Sequence, residues 1–166
     1  MTTIIDPMLA ELAHEMATTR RLLERAPDAK FGWKPHEKSM TLGRLTGHIA
    51  ELPGWIGSIV AKPGFDFGGG DYKPLAPATT TELLAAFDKH VVLATEALKP
   101  LTDKALMETW RLTKGGQLIM EMPRVGVVRT LLLNHVIHHR GQLSVYLRLL
   151  NVPLPSIYGP TADTPM

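Results

Sequence analysis

Four stretches of this chain repeat apolar residues at three- and four-residue steps, and that periodicity restricts the fold more than any other feature. The first runs from about Asp6 to Arg25, with Met8, Leu9, Leu12, Met16, Leu22 and Leu23 on one face. Asp6-Pro7 offers an N-cap acceptor followed by a proline at the first helical position, and Pro27 stops the helix. The second opens near Ser39 or Thr41 and reaches about Ala61, through Leu42, Leu45, Ile49, Leu52, Ile56 and Val60. Pro53 lies inside it and cannot donate to the carbonyl of Ile49, so a kink or break is expected beside His48.

The third helix follows Thr79-Thr80-Thr81-Glu82, where hydroxyl-to-Glu spacing resembles a capping box, and ends at Lys99-Pro100. The fourth, about Arg124 to Asn151, begins after Pro123. Four such helices bury their stripes most simply as a four-helix bundle, an all-α fold made as a single domain over residues 1–166. Between Glu108 and Met122 the period changes to alternation, with Trp110 and Leu112 before Gly115-Gly116 and Leu118, Met120 and Met122 after it. This predicts a short β-hairpin between the third and fourth helices. Lys62 to Pro77 reads as a loop without regular elements, its Gly68-Gly69-Gly70 a flexible connector because no Gly-Lys-Ser/Thr follows.

Composition narrows the chemistry. There is no cysteine, so disulfides, thiol nucleophiles and Cys-ligated metals are excluded. A formal net charge of +2, with no basic cluster beyond Arg20-Arg21 and the nearby Arg25 and Lys30, a solvated helix face, argues against a nucleic-acid surface. The N-terminus lacks a basic region followed by an apolar stretch, and no run is long enough to span a membrane, which makes the cytoplasm the expected location.

Chemistry concentrates in the fourth helix. His135 and His139 are four residues apart. On an ideal wheel with Val128 at zero they fall roughly 20° either side of the apolar face's centre, and His138 lies at its edge near −80°. Two imidazoles on an apolar stripe are either satisfied core histidines or a pair of metal ligands at the usual helical spacing. His48 is the best third ligand. His14 sits beside Glu15, His36 falls in a loop, and His90 beside Lys89 has the character of a surface residue. Glu51, one turn from His48, could hold its imidazole or act as a base, or be an exposed carboxylate. Gln142 is expected to face inward and Arg140 away from the face. Tyr146 packs in the core or donates to a substrate. Three imidazoles leave coordination positions open and suit zinc, nickel, copper or iron(II).

The segments Leu42-Gly43 with His48-Ile49-Ala50-Glu51-Leu52-Pro53, Asn134-His135-Val136-Ile137-His138-His139-Arg140-Gly141-Gln142-Leu143, and Tyr146 through Asp163 resemble the DinB-like (DinB/YfiT) family. The resemblance implies up-down-down-up connections, a metal site on His48, His135 and His139, and a homodimer. It also implies a metal-dependent enzyme of the thiol S-transferase or hydrolase type, with zinc or nickel foremost and a low-molecular-weight thiol as cosubstrate. The alternative it leaves is a non-catalytic, stress-associated dimeric bundle that binds a small molecule or protein.

Overall fold

The computed structural model describes residues 3–68 and 72–165. The chain is mostly helical. Helix α1 spans Ile5–Leu23, two residues earlier than Asp6 would dictate as a cap. Asp6 instead lies in the first turn and accepts from the Thr3 hydroxyl, while the backbone N–H of Ile4 donates to Asp103 Oδ1. Helix α2 spans Leu42–Glu51 and is capped by Thr41 Oγ1, which accepts from the Arg44 N–H.

The proline expectation is met as a break. Leu52–Trp55 form a 3-10 turn with Pro53 near its start, and α3 resumes over Ile56–Ala61. Helix α4 spans Thr80–Leu98, with Thr79 Oγ1 accepting from the Glu82 N–H and the Glu82 carboxylate accepting from the Ala78 N–H. A short α5, Asp103–Met107, precedes the strands.

The fourth periodic stretch is a continuous helical rod of three parts. These are α6, Arg124–Val128; a π-helical turn, Arg129–Leu133; and α7, Asn134–Leu149. Helices α1 and α2 each pack on both α4 and α7, so the four rods close a ring around one core. Leu12, Leu22, Leu45, Ile49, Leu83, Phe87, Leu132, Val136, Leu143 and Leu147 fill that core and are almost wholly buried.

The expected hairpin is present as β2, Thr109–Lys114, and β3, Gln117–Pro123. Gly115 and Gly116 take φ of 57° and 80°, and a turn with two positive φ angles matches the strands' twist in a two-residue loop. Ile119 is the extra residue of a bulge opposite Leu112–Thr113.

The expectation of an all-α fold with a hairpin as its only sheet needs a correction here. Gly64–Asp66, inside the stretch expected to lack regular structure, forms β1 and pairs in parallel with β2, giving a mixed three-stranded sheet. The Asp66 carboxylate secures it by accepting from the N–H groups of Gly68, Gly115 and Gly116 and from the Thr113 hydroxyl. Those donors hold its pKa well below the usual carboxylate range. The flexible-connector expectation for Gly69 and Gly70 lies outside the described residues.

Candidate metal centre

The π turn decides where the histidines stand. A π turn carries one residue more than an α turn, so α7 lags the ideal wheel by about 100°. The residues buried along the rod are Arg124, Val127, Val128, Leu132, Leu133, Val136, His139, Arg140, Leu143 and Leu147. His135 and His139 therefore flank the buried face and turn toward α2 instead of straddling its centre. The same lag reverses two expectations. Arg140 is buried at 1% exposure, paired with Glu15 of α1 at 2.6 Å and bonded to Thr19 Oγ1 and the Tyr158 hydroxyl. Gln142 is exposed.

On the opposing helix, Arg44, His48 and Glu51 follow one another at i, i+4 and i+7 and share a stripe. This brings His48 onto His135 and His139. One ligand nitrogen from each of the three lies within 4.8 Å of the other two, and the Nε2 atoms of His48 and His135 are 3.3 Å apart. His138 stays exposed with its ring 4.9 Å from that of His139, and does not join the cluster. His14 and His36 are exposed.

His90 is not the expected surface residue. Its Nδ1 bonds the carbonyl of Ala50 at 2.7 Å, satisfying an acceptor beside the Pro53 break.

The outer nitrogens of His48 and His139 are held in place. Glu51, only 6% exposed, accepts from His48 Nδ1 at 2.7 Å. It also accepts from the Arg44 Nη2 and Leu75 N–H groups at 3.0 and 2.9 Å, and from the Tyr72 hydroxyl. Burial opposes its charge, but these donors outweigh it and bring the carboxyl pKa down to about 2. An ionised carboxylate only accepts, so the proton of His48 sits on Nδ1 and its Nε2 carries a lone pair.

His139 Nδ1 meets Gln142 Oε1 at 2.7 Å and is directed the same way. Burial and the neighbouring imidazoles depress the pKa of His135 to about 4, and burial foremost lowers that of His139. Three converging imidazoles, those of His48 and His139 with the other nitrogen occupied, are a donor set that could hold a divalent cation.

Trp55, half-buried in the 3-10 turn, forms a wall of the site. Its ring centroid is 5.7 Å from that of His48 and 5.9 Å from that of His135. Gly47 allows the loop carrying Leu75 to lie against α2, because a Cβ there would stand 2.5 Å from the Leu75 carbonyl oxygen. Tyr146 is committed elsewhere, donating to the Met40 carbonyl at 3.1 Å with its ring edge-on to Trp33.

Of the residues singled out in the sequence, His48, His135, His139 and Glu51 come together, and Gln142 supports them from outside. Arg44, Trp55 and Tyr72 were missed. The i, i+4, i+7 spacing could have found Arg44, while nothing local marks Tyr72.

Comparison with known proteins agrees with this architecture. The protein YrdA of Bacillus subtilis (strain 168), itself uncharacterized, is 28% identical over 160 residues, 96% of this chain and 90% of the relative. A DinB-like protein from Bacillus cereus ATCC 10987 superposes with a TM-score of 0.73 at 26% identity, covering 94% of this chain and 98% of that one. The DinB-like protein YjoA of Bacillus subtilis, at 18% identity, shares the fold with a TM-score of 0.72 over 92% of this chain and 98% of its own. The DinB family model matches residues 1–165, and the chain belongs to the DinB family.

Proposed function

We propose that this chain is a metal-dependent enzyme of the thiol S-transferase or hydrolase type that binds one divalent ion, zinc or nickel foremost, through His48, His135 and His139. The observation that carries this reading is the convergence of three imidazoles, with the outer nitrogens of His48 and His139 bonded to Glu51 and Gln142. A closed structural site would use four protein ligands, and three leave room for an exchangeable one. When bound there, the ion supplies a Lewis acid that lowers the pKa of a thiol or water.

The chain's own groups do the rest. Glu51 keeps the proton on His48 Nδ1, and Gln142 orients His139. Trp55 shields the His48 and His135 rings on one side. We read the ring of rods as a four-helix bundle with up-down-down-up connections. The whole chain is one domain that works as a cytoplasmic homodimer with a low-molecular-weight thiol as cosubstrate; light scattering tests the dimer.

The deciding experiment is metal analysis by inductively coupled plasma mass spectrometry on wild type and on His48→Ala, His135→Ala, His139→Ala and His138→Ala. About one equivalent in wild type and in the His138 variant, lost from the other three, is expected. No metal in wild type after incubation with zinc and nickel removes the proposal. Loaded protein is then screened with several thiols against small electrophiles, and uniform inactivity would leave binding without catalysis.

A further inference from the structure

Arg44 has a donor that its neighbours do not use. Its Nη2 serves both Glu51 Oε1 and the Tyr72 hydroxyl, each at 3.0 Å. Its Nη1 is buried and has no hydrogen-bond partner among the described residues. A guanidinium needed only to hold a carboxylate would grip it with two parallel N–H bonds, yet Glu51 takes one. Its Oε1 is shared with His48 and Tyr72, and its Oε2 is occupied by the Leu75 N–H. Buried donors without partners are rare in folded proteins and ask for an explanation.

Position suggests one. Arg44 precedes His48 by one helical turn on the same face, and Trp55 follows His48 two turns later with its ring against His48 and His135. The cluster thus has a cationic fork at one end and an aromatic surface at the other. Arg44 is close enough to His139 to help lower that imidazole's pKa.

We propose that Arg44 is the substrate-anchoring residue of this site, holding the carboxylate of a small organic acid in its guanidinium fork while the acid's apolar part lies against Trp55. One carboxylate oxygen takes the place the Tyr72 hydroxyl occupies on Nη2, and the other satisfies Nη1. The inference rests on the metal-site reading for its biological meaning, but the anchoring itself requires only Arg44 and Trp55.

The test measures binding of 3-phenylpropanoate and of its neutral amide by calorimetry, to zinc-loaded and chelator-treated protein, with metal content recorded in every sample. The carboxylate is expected to bind roughly tenfold or more tightly than the amide in both forms. Arg44→Met should erase that preference in both forms, Arg44→Lys should retain part of it, and Trp55→Leu should weaken acid and amide alike. An unchanged preference in Arg44→Met, a preference confined to the zinc-loaded form, or no binding of the acid at millimolar concentration overturns the proposal. Wild type that takes up no zinc but keeps an Arg44-dependent preference would remove the metal reading and leave the anchor standing.

Discussion

Replacing Glu51 by glutamine should lower metal affinity by roughly 10- to 100-fold, the usual cost of removing a partner that orients a ligand. The carboxylate presents two oxygens to four donors. Oε1 receives His48 Nδ1, Arg44 Nη2 and the Tyr72 hydroxyl, and Oε2 receives the Leu75 N–H. A glutamine has one oxygen and one NH2 group to place there. With the oxygen toward His48, the NH2 opposes the Leu75 N–H, and a buried clash of donors costs about 1–3 kcal/mol. With the oxygen toward Leu75, the NH2 faces His48, whose proton must then move to Nε2 and cover the lone pair a metal requires.

Either arrangement penalises the bound state, and a 10- to 100-fold loss corresponds to about 1.4–2.7 kcal/mol. Competition against a chromophoric zinc chelator measures the affinity, and far-ultraviolet circular dichroism confirms that the variant is folded. An affinity for Glu51→Gln within about threefold of wild type would refute the argument that Glu51 sets the His48 tautomer.

Three further outcomes are expected. Arg140→Met leaves the Glu15 carboxylate unpaired at 6% exposure, costing about 3–5 kcal/mol and roughly 10 °C in thermal midpoint. Adding Glu15→Leu should recover most of the loss, and no recovery would show that the pair is not the cause. Gly47→Ala places a Cβ 2.5 Å from the Leu75 carbonyl oxygen, which must push the loop from α2 and weaken the Leu75–Glu51 bond. Zinc affinity should fall several-fold in the same chelator assay, and an unaltered value would mean the loop is not needed to hold Glu51.

Metal-free protein should lose thermal stability as pH falls from 6.5 to about 4, because the folded state depresses the His135 pKa and so disfavours its protonated form. Glu51, depressed from 4.5 to about 2, adds a further loss below 4.5 as its protonation releases its donors. A flat thermal midpoint across both ranges would contradict these environments.

The local signals carried far, and they failed where a distant residue or an irregular turn decided the outcome. Thr79 as a cap, the break at Pro53 and the turn at Gly115-Gly116 each follow from a neighbour's backbone chemistry, and each is found. The three histidines are legible because their spacing survives within α2 and within α7.

What failed is the phase of α7, since a wheel at 100° per residue from Val128 carries no allowance for the π turn at Arg129–Leu133. That one error pointed Arg140 away from the inward face and turned Gln142 toward it. Strand β1 escaped notice because three residues beside a glycine carry no period. Its pairing depends on Arg111 to Thr113, more than forty positions along the chain. Glu51 stood between a partner for His48 and an exposed carboxylate because Tyr72 and Leu75 reach it from a loop whose path no pattern reveals.

The turn at Arg129–Leu133 also gives the gene a place to tolerate change in length. It holds one residue beyond what an α turn needs, so losing a codon there lets the backbone relax into regular helix while the packing on either side stays where it is. The same loss between His135 and His139 would rotate one imidazole by about 100° and dissolve the pair. Against a relative whose helix ran through as regular α, a one-residue gap would therefore belong before Asn134. An alignment forced through without it would match the histidines and mispair every apolar position of α6.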